Sequence, residues 1–141
     1  MTSYSARAQI QNDPSHWAYG IKKLTGNRYE VHLQCTLDEE WHIYAQKQGP
    51  GFIGTATKII FNKQPGLTLI GRPLEKGKKD TYVVKEVDIK NYEYSGRVDF
   101  VQLVSIKPGT KEIKGKVIYQ TCTHEHCLPQ TSLDFTIPIT N

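Results

Sequence analysis

The sequence predicts an all-β domain with an immunoglobulin-like β-sandwich fold, and a closed β-barrel is the alternative. Two observations lead to this fold class. Helical periodicity is almost absent, while short segments of alternating apolar and polar residues recur along the chain. Glycine, proline and asparagine residues separate about eight or nine such segments, which is typical of a sandwich or a barrel.

The clearest predicted strand covers Arg28–Leu37. Its odd-numbered residues are apolar and its even-numbered residues are mostly polar, so one face should lie in the core and the other should be wetter. The preceding segment, 17–24, joins it through a predicted hairpin turn at 25–27. The core face would consist of Tyr29, Val31, Leu33, Cys35 and Leu37.

The remaining predicted strands follow at similar spacing. They cover residues 41–44, 58–61, 67–70, 81–87, 97–106, 112–120 and 132–139. Turn residues separate them at 49–51, 62–66, 71–77, 95–96 and 108–109. We expect a single domain over 15–141, preceded by a disordered segment at 1–14, because the first residues are polar and carry no pattern.

Composition excludes several classes of protein. Hydrophobic residues make up 38% and charged residues 23% of the 141 positions, which argues against disorder and against a membrane-spanning chain. The net charge is +4, and the basic run at 76–79 has no interleaved aromatic residues, so we expect no nucleic-acid binding. No signal-peptide core opens the chain, so we expect either a cytosolic protein or a domain whose targeting segment has been removed.

Cys122 and Cys127 are the strongest functional signal. A β-branched and aromatic strand ends at Cys122, and a short loop carries Cys127 ahead of another strand. A disulfide across so short a loop adds little stability, which favours a reversible redox pair over a structural bridge. Protonated His124 and His126 would favour a thiolate, and Glu125 would oppose it.

Three alternatives stay open on the residues alone. The bridge could be a permanent structural disulfide, or the domain could be a non-catalytic interaction module. A third alternative is a metal site built from Cys122, His124, His126 and Cys127, although four ligands within six residues are cramped. Cys35 lies on the apolar face of its strand and is expected to be an inert buried thiol.

Residues 119–122 and 127–129, together with Trp41 to Tyr44 and the Gly49-Pro50-Gly51 turn, resemble a known family. The resemblance is to the N-terminal periplasmic domain of the transmembrane disulfide reductase DsbD, and it extends over 17–139. It implies an immunoglobulin-like fold and a periplasmic location as one domain of an inner-membrane parent protein. It also implies protein-disulfide reductase activity without a cofactor. Electrons would come from membrane-embedded and C-terminal thioredoxin-like domains of that parent. They would pass to thioredoxin-like partners such as disulfide isomerases and cytochrome c maturation thioredoxins.

The resemblance also implies roles for single residues. Cys127 would attack the disulfide of the partner, and Cys122 would resolve the mixed disulfide. A cap loop at 85–87 would shield the pair. The expected cap and lining residues are Tyr44, Glu86, Val87, Tyr119, His124, Glu125, His126, Leu128 and Pro129.

The chain also departs from the pattern of the family. Its cysteine loop is one residue shorter than in the best-known members, and Gln130 replaces a second proline. Val87 stands where those members carry an aromatic cap residue, for which Tyr82 is the alternative.

Overall fold

The structure, a computed structural model, describes residues 3–6 and 13–139 and consists of β-strands joined by turns. One turn of 3-10 helix, Lys85–Val87, separates two long strands. The strands are β1 (Ser3–Ala6), β2 (Ser15–Lys23), β3 (Arg28–Leu37), β4 (His42–Tyr44), β5 (Lys58–Phe61), β6 (Leu67–Val84), β7 (Ile89–Ile106), β8 (Glu112–Tyr119), β9 (Thr121–Cys122) and β10 (Thr131–Pro138).

These strands form two antiparallel sheets that pack as a sandwich, which confirms the predicted fold class. The larger sheet has the order β1-β2-β3-β7-β4-β9, and β6 pairs with β7 as well. The smaller sheet has the order β10-β8-β5. Because β9 ends the larger sheet, the chain leaves that sheet at Cys122, on its outermost strand.

Aromatic residues from both sheets fill the space between them. The Trp17 ring of the larger sheet lies 5.2 Å from that of Tyr119 in the smaller sheet, measured between centroids. The rings of Tyr19 and Phe135 make a similar contact at 5.6 Å. Such pairs bury a large apolar area at favourable ring geometries, so they fix how the two sheets are stacked.

The alternation predicted for β3 is confirmed on its core face. Tyr29, Leu33 and Cys35 are buried there, and burial, helped by the charge of Asp13, raises the pKa of the Cys35 thiol. On the opposite face His32 is also buried, because neighbouring carboxylates pair with its ring. The thiol of Cys35 is therefore protonated at neutral pH, its predicted burial is confirmed, and its inertness stays a prediction.

The strands predicted at 67–70 and 97–106 lie within β6 and β7, but the turn predicted at 71–77 is wrong. Residues 71–77 do not form a turn between two strands, because β6 runs without reversal from Leu67 to Val84. Its register with β7 shifts between Ile70 and Leu74 and again between Gly77 and Lys79. Glycine and proline mark bulges as well as turns, so the chain bends at these positions and stays paired.

Strand β7 likewise extends through the predicted turn at 95–96. Gly96 has a φ of 73°, which glycine adopts without strain, and it lies where the β6 register shifts. Before this point β7 pairs with β4, and after it β7 pairs with β3. The predicted strand at 81–87 ends at Val84, because the 3-10 turn reverses the chain there.

Several element boundaries also differ from the predictions by one or two residues. Strand β2 covers Ser15–Lys23 against a predicted 17–24, β4 lacks Trp41, β8 ends at Tyr119 and β10 covers Thr131–Pro138. Strands β1 and β9 have no counterpart among the predicted strands. Backbone pairing joins residues 3–6 to β2, and residues 7–12 lie outside the described part, so disorder over 1–14 stays a prediction. Within 3–6 and 13–139, no helix is long and apolar enough to cross a membrane.

Gly115 lies at the centre of the smaller sheet, where no side chain fits. A Cβ atom there would lie 2.6 Å from Cζ of Phe135 and would also overlap the carbonyl oxygen of Ile60. We expect Gly115→Ala to lower the free energy of unfolding by about 1–3 kcal/mol, since overpacking forces neighbours to shift. Denaturant unfolding measures this loss. The matched control is Lys116→Ala on the exposed face, which should change stability by less than about 0.5 kcal/mol. A stable Gly115→Ala variant would contradict the packing.

Candidate active site

The cysteine pair closes a tight hairpin at the end of the larger sheet. Cys122 and Cys127 face each other as an antiparallel bridge, with their Cα atoms 4.0 Å apart and their sulfurs bonded. On either side of the pair, Thr123 N donates to His126 O at 2.8 Å and Leu128 N donates to Thr121 O at 3.0 Å. These backbone bonds do not depend on the disulfide, so they favour keeping the two cysteines adjacent after reduction.

Thr123 shapes the loop between the cysteines. Its hydroxyl oxygen accepts from the backbone N–H groups of Glu125 and His126, both at 3.2 Å. A threonine that bonds the backbone two and three residues later stabilises a turn in place of a continuing strand. Thr123 was not among the predicted site residues, although threonine is one of the residue types whose side chain bonds the backbone in turns.

The two cysteines differ in their access to solvent. Cys122 is fully buried, whereas Cys127 is exposed on the loop. Thiol–disulfide exchange requires direct contact between an attacking sulfur and the sulfur under attack. A partner protein can therefore reach Cys127 directly, while Cys122 is reached through Cys127.

A carboxylate and two histidines lie beside the disulfide. His42 in β4 pairs with Cys122 of β9 on one side and with Ser95 of β7 on the other. Glu93, two residues before Ser95, is thus a diagonal neighbour of His42 on the same face. Oε2 of Glu93 lies 3.2 Å from Nδ1 of His42 and 2.9 Å from Nε2 of His124.

The electrostatics of this cluster follow from its burial. Burial and the nearby His124 lower the pKa of His42 to about 4, so its ring is neutral at neutral pH. Burial raises the pKa of Glu93, and its hydrogen bond to His124 acts in the opposite direction. His124 was expected near the cysteines, but Glu93 was missed because it lies in the first part of β7, where no strand was predicted.

A cavity of about 180 Å³ lies over the disulfide and this cluster. Its lining includes Tyr44, Tyr82, Glu93, His124 and Cys127. The Tyr82 ring stacks on the His124 ring with centroids 4.4 Å apart, so Tyr82 covers part of the cysteine loop. Glu86 and Val87 lie at the tip of the β6–β7 hairpin and do not line this cavity, and the Val87 residue is 60% exposed.

Of the other expected site residues, Glu125 and His126 also line this cavity, whereas Tyr119, Leu128 and Pro129 do not. Tyr119 is buried in the core and its hydroxyl donates to Asp13 at 2.6 Å, so it does not line the cavity. Glu125 and Pro129 are exposed, and Leu128 is half-buried. The ring of His126 packs edge-on against Trp41 at 5.4 Å.

The structure does not assemble the expected alternative of four metal ligands from Cys122, His124, His126 and Cys127. The two sulfurs are bonded to each other and offer no thiolate to a metal. The disulfide, in which the Cys127 residue is exposed, is placed where it can exchange with another disulfide or thiol.

Together, the fold and the site define a class of protein, the thiol–disulfide exchange domains. The chain belongs to the family described as the N-terminal domain of the thiol:disulfide interchange protein DsbD, whose sequence model matches residues 9–138. The resemblance inferred from the cysteine loop and the tryptophan segment is thereby confirmed. No curated protein matches the chain significantly.

Solved structures show the same fold at low sequence identity. The N-terminal periplasmic domain of ScsB from Proteus mirabilis is 16% identical, with a TM-score of 0.67 over 94% of this chain and 49% of that one. The chain therefore spans about half the length of that domain. The reduced DsbD N-terminal domain of Neisseria meningitidis is 13% identical, with a TM-score of 0.57 over 89% of this chain and 86% of that one. The yeast GGA1 GAE domain is 14% identical, with a TM-score of 0.50 over 92% and 96%.

The unequal burial of the cysteines predicts unequal reactivity. After reduction, we expect iodoacetamide to modify Cys127 well before Cys122, and Cys35 only after unfolding. Peptide mass mapping over a time course measures the order of modification. Modification of Cys122 at the same rate as Cys127, in protein that remains folded, would contradict the geometry.

Proposed function

We propose that this domain passes electrons from a membrane-embedded reductase domain to oxidised thioredoxin-like proteins in the periplasm, through reversible opening of the Cys122–Cys127 disulfide. The observation that carries the proposal is the pairing of exposed Cys127 with buried Cys122 in a hairpin with its own backbone hydrogen bonds. One cysteine residue is thus exposed on the loop, and the other lies buried next to it.

The exchange needs no cofactor, since two sulfurs carry both electrons. In the reduced domain, the Cys127 thiolate attacks one sulfur of the partner disulfide, and that S–S bond breaks to release a partner thiolate. The resulting mixed disulfide joins Cys127 to the partner. The Cys122 thiolate then attacks the Cys127 sulfur, which closes the domain disulfide and releases the second partner thiolate. The partner gains two electrons and, on protonation, two protons.

Family membership supports the proposed source of the electrons and the proposed location. A domain of this family would be recharged by the membrane-embedded part of the same parent, supplied in turn by a C-terminal thioredoxin-like domain. The disulfide isomerase and the cytochrome c maturation thioredoxin are the proposed recipients. The description of the similar ScsB domain as periplasmic supports a periplasmic location here.

We assign the shielding of the disulfide to Tyr82 ahead of Val87. The stacking of Tyr82 on His124 supports this assignment, as does the position of Tyr82 in the lining of the same cavity as Cys127. The tip at 85–87 would then be the outer part of a cap that a partner displaces. Tyr44, His124, Glu125 and His126 surround the entry, with Leu128 and Pro129 continuing the chain beyond it.

Replacing each cysteine singly should block electron transfer at a different step. We expect Cys127→Ser to abolish electron transfer to an oxidised thioredoxin-like substrate, because the attacking sulfur is gone. Cys122→Ser should instead accumulate a mixed disulfide between Cys127 and the substrate, because nothing resolves it. Non-reducing gel electrophoresis and intact mass measure both outcomes.

The matched control for these variants is Cys35→Ala, which removes the buried third cysteine and should leave transfer intact. Multiple turnovers by Cys122→Ser would contradict the assigned roles. If the unmodified chain transfers no electrons and the partner still binds the Cys127→Ser variant, the domain is an interaction module instead.

A further inference from the structure

Glu93 is a buried carboxylate with one oxygen between two histidine rings. Its side chain is 4% exposed, and Oε2 faces both His42 and His124. One donor atom from each of these three residues lies within 4.8 Å of the others. Carboxylates are rarely buried unless a charged or hydrogen-bonded partner compensates for the lost hydration.

The second oxygen of Glu93 has no such compensation. Oε1 is buried and has no hydrogen-bond partner within 13–139. Leaving a buried acceptor unsatisfied is costly, so an unpaired atom of this kind in a folded domain calls for an explanation, such as an ion. The neighbouring histidines supply the other donor atoms that an ion would need.

We propose that His42, Glu93 and His124 bind a divalent transition-metal ion of the zinc class beside the disulfide. Two imidazole nitrogens and one carboxylate oxygen form a donor set that zinc accepts, with a fourth position left for water or another ligand. The ring nitrogens that face Glu93 can serve as ligands because a neutral imidazole carries its proton on either nitrogen.

The scaffold holds two of the three ligands rigidly. His42 and Glu93 lie on adjacent hydrogen-bonded strands, β4 and β7, on the same face. Sites on strands keep their geometry better than sites on loops, so little ordering is needed when the ion binds. His124 comes from the cysteine loop and its side chain is 55% exposed, which leaves a route for the ion to enter.

Nearby acidic groups favour a cation in this position. A second cavity, of about 400 Å³, is lined by His42 and His124 and also by Glu40 and Glu125. Two further carboxylates at the mouth of the cluster would raise the local concentration of cations. The surface beside the disulfide therefore suits a cation better than an anion.

This site is distinct from one made by the cysteines. In the oxidised protein the two sulfurs are bonded and offer no thiolate, so zinc uptake by that form has to use other ligands. His126 contacts Trp41 and is not part of the cluster. Metal binding by the oxidised chain therefore tests this proposal independently of electron transfer.

The experiment is equilibrium dialysis of the oxidised chain against zinc, with elemental analysis and titration calorimetry. We expect about one zinc per chain at the cluster, and the near-ultraviolet absorption of cobalt bound in place of zinc should lack a sulfur-to-metal charge-transfer band. His124→Gln should weaken binding at least about tenfold, since loss of even an outer-shell partner costs about 10–100-fold. Glu93→Gln should do the same while keeping the shape of the side chain.

The matched control is His126→Gln, which removes the other histidine of the same loop and should leave affinity unchanged. His124 is half-exposed, so its variant should fold even if Glu93→Gln does not, and circular dichroism checks this. No zinc uptake by the oxidised wild type would overturn the proposal. So would uptake that is unaffected by His124→Gln, or uptake that requires reduction of the disulfide.

Discussion

The site depends on the register of β4, a strand of three residues with hydrogen-bonded neighbours on both sides. Ile43 at its centre is fully buried in the core, which fixes the strand and turns His42 and Tyr44 to the opposite face. The same register puts His42 opposite Cys122. Because β7 pairs with β4 before the bulge at Gly96 and with β3 after it, one strand connects the redox loop to the core.

The disulfide of the cysteine hairpin contributes little to the stability of the domain. Backbone hydrogen bonds flank the bridge, and the ring that the disulfide closes is short, so it removes little entropy from the unfolded chain. The aromatic contacts Trp17–Tyr119 and Tyr19–Phe135 join the two sheets without involving the cysteines. Opening and closing the bridge can therefore take place on a sandwich that stays folded.

Sequence patterns predicted the features that depend on residues close together in the chain. The alternation of β3 and the position of the cysteine loop are properties of a few consecutive residues, and both are visible in the chain. The turn predicted at 71–77 was wrong because the glycine and proline residues there mark a bulge as readily as a turn. Glu93 was missed because its partners, His42 and His124, are distant in sequence and meet it only through strand pairing.

The most direct measurement is the redox state of the Cys122–Cys127 pair across a series of glutathione buffers, read by alkylation and intact mass. We expect a reversible two-electron transition at a potential between about −180 and −270 mV, the span of working oxidoreductases. Cys35 should stay reduced and unmodified throughout, since it is buried. A bridge that remains closed below about −300 mV would be a structural disulfide and would contradict an electron-transfer role.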